Sequence, residues 1–98
     1  MANENFKIDT DEIRRIARKI SSIESDVRSC SDNNVRSMHA EVETNMKGEA
    51  ANALLEMFDD LSGDIKKIAN SLKTVKNALE AYAKEVERVD KELADKIQ

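Results

Sequence analysis

From Leu54 to Ile97 the apolar residues return at steps of four and three: Leu54, Phe58, Leu61, Ile65, Ile68, Leu72, Val75, Leu79, Tyr82, Val86, Val89, Leu93 and, after a last step of four, Ile97. That period belongs to an α-helix, and a seam this long needs a partner along its whole length. Gly63 falls inside the run without shifting its phase. The spacing therefore predicts a helix that tolerates this glycine, at a cost of about 1 kcal/mol relative to Ala.

Upstream the same period holds through Ile13, Ile16, Ile20, Ile23, Val27 and Cys30. It fails at Ser31-Asp32-Asn33-Asn34 and resumes at Val35, Met38 and Val42, as if four residues had been inserted after Val27. Such a stutter unwinds a helix locally without ending it. A weakened but continuous helix is expected here, and a short break is the rival, because Ser, Asp and Asn compete for backbone hydrogen bonds. Thr10 is expected to cap this first helix, with Asp11 and Glu12 complementing its dipole.

Between the two periodic segments lies Gly48, one of only two glycines in the chain. Thr44 and Asn45 are cap candidates, Glu49 suits a first helical turn, and Ala50, Ala51 and Ala53 are small enough for two helices to approach closely. A single straight rod through Gly48 would run ~130 Å at 1.5 Å per residue and would still lack a partner. A reversal at Gly48 lets each seam cover the other. The expected fold is all-α: one helical-hairpin domain, with helix one over about 10–45, a turn at 46–48 and helix two over about 49–97.

Composition agrees. The 98 residues contain no proline, 3% aromatics and 37% charged residues, a profile of long helices with a narrow apolar seam. Net charge is −4 with both signs interspersed, so no basic patch points to nucleic acid. No apolar run approaches a membrane span, and the polar, acidic start resembles neither a signal nor a transit peptide. The expectation is a product of the cytoplasm that, if exported, leaves without a cleavable signal. The single cysteine cannot form an internal disulfide, and Cys30 reads as a small buried hydrophobe. His39, the only histidine, has no companions at metal or nucleophile spacing and reads as a surface or seam-edge residue. No catalytic residue, metal or cofactor is expected.

An isolated α-hairpin buries little. Ile13 is expected to meet Tyr82, and Ile20 to meet Val75. Residues flanking the seam, among them Ala17, Leu55, Met57 and Ala78, are expected to seek a second hairpin, giving a four-helix bundle. The candidate interface is Leu55, Met57, Phe58, Ile65, Leu72 and Leu79. Met38, Met46, Met57 and Phe58 gather near the turn, where core packing is the first reading and an adaptable partner surface the second. Beyond Val86 helix two is expected to outrun helix one, with only Phe6 and Ile8 to cover it.

A hairpin of this length with a central Trp-x-Gly turn resembles the WXG (early-secreted-antigen-like) superfamily of type VII secretion. The stretch Met46-Lys47-Gly48, followed by Ala50-Ala51 and Leu54, looks like that turn and the start of its second helix, with Met46 where the signature has Trp. This departure brings the chain closer to the divergent helical proteins that pair with LXG-domain toxins. The family's export signal is an aromatic followed four residues later by an acid. From Tyr82 the fourth residue on is Val86; from Val86 it is Asp90, with Val in the aromatic's place. An i, i+4 pair does put an apolar group and a carboxylate on adjacent turns of one face. The candidate export element is Tyr82, Val86 and Asp90, and Val86 as a plain seam residue is the equal alternative.

The resemblance implies a small non-enzymatic secretion factor. It would dimerise with itself or with another hairpin or LXG-type domain, engage the secretion machinery and serve as export partner or targeting factor for an effector. The alternative is a cytoplasmic coiled-coil adaptor or chaperone unrelated to secretion. Balanced charge argues against stable membrane insertion.

Overall fold

The computed structural model describes residues 8–97. Two arms lie antiparallel, and among the described residues there is no strand. The first arm is α1 (Thr10–Ser29), a π-helical segment (Cys30–Val35) and α2 (Arg36–Asn45). The second arm is the single helix α3 (Glu49–Ile97). The molecule measures 75 × 20 × 18 Å. At 1.5 Å per residue α3 alone accounts for roughly that length, and the rod of twice the length is excluded.

α1 starts one residue earlier than its spacing implied. Asp9, not Thr10, is the cap: its extended backbone turns its carboxylate onto the N–H groups of Asp11 at 3.0 Å and Glu12 at 3.2 Å. An Asp cap is at least as good as Thr, and its charge also faces the positive end of the helix dipole.

At the suspect Ser-Asp-Asn-Asn stretch the helix does not break. It widens into six residues of π-helix, which absorbs the extra residues by winding fewer turns per length. This keeps both ends of the segment against α3, with Ser31 and Val35 buried. Buried hydroxyls need partners, and Ser31 finds Ser62, the two hydroxyls hydrogen-bonding across the crevice.

The reversal is short. Met46 ends α2 in an extended conformation while its N–H donates to Val42 O at 2.9 Å. Gly48 follows at φ +100°, and its carbonyl accepts the first bond of α3 from Asn52 N at 3.1 Å. A side chain at Gly48 would meet nothing within 4 Å, so the backbone angle alone demands glycine here. Thr44 and Asn45 form the end of α2 and so do not cap α3. Gly63 sits in unbroken helix with open space around it.

The core differs from the expected seam. The residues sealed between the arms are small: Ala17, Ser31, Ala51, Ala69 and Ala83, with Val35 the one larger side chain. Ala17, assigned above to a second hairpin, is 1% exposed inside this one. Ile13, Ile20 and Val27 on α1, and Phe58, Ile65, Leu72, Leu79 and Val86 on α3, are only half-buried beside the small residues. Tyr82 and Val75, expected to meet Ile13 and Ile20 in the seam, are about half exposed. The helices have rotated by one column of the heptad. Small residues let the backbones approach closely, and one column of the apolar stripe is left outside.

Candidate functional site

The rotation gives the hairpin two unlike faces. Ile13 and Arg14 lie on either side of the column containing Ala17; Val86 and Glu87 flank the column containing Ala83 in the same way. On one side of the crevice the arms are joined by polar contacts. Arg14 Nη2 donates to Glu87 Oε1 at 3.0 Å, Arg28 Nη2 to Asn70 Oδ1 at 2.9 Å, and His39 Nε2 lies 3.4 Å from Asp59 Oδ1. These contacts set the register of the arms. The Arg14 guanidinium, with help from Thr10, holds the Glu87 carboxyl below the usual range, and Glu87 in turn raises Arg14.

On the other side lie Ile16 and Ile23 of α1 and Leu61, Ile68, Val75, Tyr82 and Val89 of α3, the latter exactly one heptad apart. Each is exposed, Ile68 to 55% and Tyr82 to 49%. An unpaired heptad column beside a half-buried one forms a continuous apolar strip. Contiguous exposed apolar surface of this kind makes the strip a candidate interaction surface. This strip was not recognised in the sequence, where its α3 residues had been placed in the seam. The signal that could have found it is the parallel series of small residues, Ser62, Ala69 and Ala83, next to the large ones.

Of the candidate interface residues, Phe58, Ile65, Leu72 and Leu79 are half-buried between the crevice and the open face, and Leu55 is half-buried one heptad before Ser62. Met57 is 64% exposed. Met38 and Met46 are also exposed, which overturns core packing as the first reading of the methionines near the turn. Ala78 is exposed. Two grooves flank Phe58. One, of about 320 Å³, is lined by Met38, Glu41, Val42, Asn45 and Met46. The other, of about 360 Å³, is lined by Leu54, Met57, Asp60, Leu61 and Asp64.

At the opposite end, Tyr82 and Asp90 are exposed and Val86 is half-buried, all on one uninterrupted helix. Because Glu87 is held by Arg14, the overhang of α3 begins about a turn later than expected, past Asp90. Asp90 lines a shallow recess with Ile8, Asp9 and Thr10. Beyond it Leu93 and Ile97 are exposed, Ile97 to 85%. Phe6, the other expected cover for this end, lies outside the described residues. Within α3, Arg88 bonds Glu85 at 3.1 Å and Glu92 at 2.6 Å, and its guanidinium lowers the Glu85 pKa.

Cys30 is half-buried at the start of the π-helical segment, and His39 borders the crevice. Among the described residues no group of three or more His, Cys, Asp or Glu could hold a metal ion. No helix among the described residues is long and apolar enough to cross a membrane.

No curated protein and no solved structure matches the chain. A family model does: the one described as "proteins of 100 residues with WXG" matches residues 5–91. That span takes in the Met46-Lys47-Gly48 reversal. With its geometry and with nearly its whole length matched, the chain belongs to the WXG100 family, small helical proteins of type VII secretion that pair as hairpins.

Proposed function

We propose that this protein is the pairing and targeting partner of a type VII effector, accompanying it to the secretion machinery as one half of a four-helix bundle. The observation that carries this reading is the exposed column from Leu61 to Val89. A hairpin that seals its own crevice with alanine and serine keeps its large side chains for another protein. An LXG-type helical domain suits that role, since it can lay two helices along the open face. The tail completes the proposal: Tyr82, Val86 and Asp90 form the element read by the secretion machinery, and the exposure of Tyr82 and Asp90 gives access to it.

Co-export tests the reading. In a type VII-competent host expressing the chain with its co-encoded effector, the double substitution Ile68→Asp/Val75→Asp should remove both proteins from the medium. The hairpin itself should persist, because neither side chain is sealed in the crevice. Asp90→Ala should lower export while leaving the complex intact. Normal export of the effector with the double variant would replace this reading with the cytoplasmic adaptor.

A further inference from the structure

The open face has a sign. Both grooves beside Phe58 combine apolar walls with carboxylates, Glu41 in one and Asp60 and Asp64 in the other, and neither is lined by a Lys or Arg. Asp60 and Asp64 stand at i, i+4, where like charges repel. Among the described residues neither has a salt bridge. The rim continues along α3 one heptad at a time from Asp64 through Ser71 and Ala78 to Glu85 and Glu92, and along α1 through Glu12, Lys19 and Asp26. Lys19 stands within it, Arg88 pairs with Glu85 and Glu92, and Arg15 pairs with Glu12, so the rim carboxylates of α3 left without a cation gather at the turn end. Two copies packed with their turn ends together would set Glu41, Asp60 and Asp64 against the same acids of the other copy, a repulsion that costs affinity and rejects the wrong partner.

We infer that the turn end of this face receives a helix from a different protein, one with apolar residues at heptad spacing and lysine or arginine along its flanks. This rests on the pairing role proposed above and names the chemistry of the partner. The methionines on either side of Phe58 adapt to the shape of the incoming side chains. Cations flanking the incoming seam meet Glu41, Asp60 and Asp64 and relieve the repulsion between the two aspartates. A second copy of this chain is disfavoured at this end because it brings the same Glu41, Asp60 and Asp64.

Two synthetic helices of about four heptads test this, identical in their Leu/Ile seam and differing only in having Lys or Glu at the flanking positions. Each is titrated into the full chain with the methyl signals of Met38, Met46 and Met57 as the readout. The Lys-flanked helix should bind and shift all three. Binding should weaken about 5- to 10-fold in Glu41→Gln/Asp60→Asn/Asp64→Asn, the size expected of three partly exposed ion pairs. The control Asp11→Asn/Glu56→Gln/Asp95→Asn removes the same charge from residues that line neither groove, and should bind like the parent. Helicity of the neutralised variant should be unchanged or higher, since its Asp60–Asp64 repulsion is gone.

Equal binding by the Glu-flanked helix, or by the neutralised variant, would overturn the charge assignment. Binding of the Lys-flanked helix that leaves all three methionine signals unmoved would overturn the location. A tight dimer of the chain alone in sedimentation equilibrium, with the methionine signals in its interface, would make a second copy the occupant. Loss of co-export dependence alongside intact peptide selectivity would instead remove the secretion role and leave this site standing.

Discussion

Two columns of α3, one on each side of the half-buried column of Phe58, Ile65, Leu72, Leu79 and Val86, do opposite things. Ser62, Ala69 and Ala83 are small and face the first arm, with Ala69 and Ala83 sealed completely; Leu61, Ile68, Val75, Tyr82 and Val89 are large and face outward. A hairpin built only for its own stability would do the reverse, because a buried leucine removes far more apolar surface from water than a buried alanine. The difference means that small residues seal the crevice while most of the large apolar side chains stay partly or wholly exposed, as the proposed association requires. Its stability alone and its stability in a complex should therefore differ widely.

The sharpest way to break that comparison is to exchange the columns. Ala69→Leu inserts a large side chain where the alanine is 0% exposed and should cost ~3 kcal/mol, the upper range for overpacking. Ala69→Leu together with Ala83→Leu should unfold the isolated hairpin, seen as loss of the cooperative thermal transition in circular dichroism. Ile68→Ala, one position away, should cost about 1 kcal/mol or less, because that side chain is more than half exposed already. Similar losses at both positions would mean that the columns share the core equally.

How much of this could be read beforehand follows from the same columns. Periodicity with Gly48 pointed to a helical hairpin, because proline-free heptads on both sides of that glycine leave few other folds. It did not fix the rotation of each helix. A stripe two columns wide can turn either column inward, and the large residues were placed in the seam because they are the more hydrophobic. The preference of closely packed helices for Ala and Ser decided otherwise. The π-helical segment was legible as a stutter but not in its form, since a four-residue excess can be spread along a helix or concentrated in a few residues. The grooves beside Phe58 depend on that rotation and were out of reach. The tail was legible as an i, i+4 pair, but the length of the overhang depended on the Arg14–Glu87 contact.

The two glycines offer a smaller comparison of the same kind. Neither has a neighbour that an added methyl group would strike, yet their backbones differ. Gly48→Ala forces an L-residue to φ +100° and should destabilise by ~1–2 kcal/mol. Gly63→Ala lies in regular helix and should stabilise by about 1 kcal/mol. Urea midpoints for both variants, at unchanged m-value, check these opposite signs. If Gly63→Ala failed to stabilise, the glycine would be serving a bend in α3 that the straight helix conceals.

The smallest expected effect contrasts the polar side of the crevice with the apolar one. Glu87 is held below its ordinary pKa, first by its hydrogen bonds from Arg14 and then by Thr10, so its charged form is favoured by folding. Its contribution is therefore complete above the unfolded-chain value of about 4.3 and disappears as pH falls through the lower folded value. Glu87→Gln should make the hairpin slightly less stable than the parent at pH 7. That gap should close as the solution is acidified past the folded pKa. Because the pair is exposed, salt should shrink the gap at neutral pH as well. Thermal melts of parent and variant across this range give the measurement. The apolar face predicts no such trend, so Ile68→Ala serves as the reference whose deficit stays constant with pH. A Glu87→Gln deficit equally independent of pH would mean that the residue acts through packing of its stem against Arg14, and that the two faces differ in shape more than in charge.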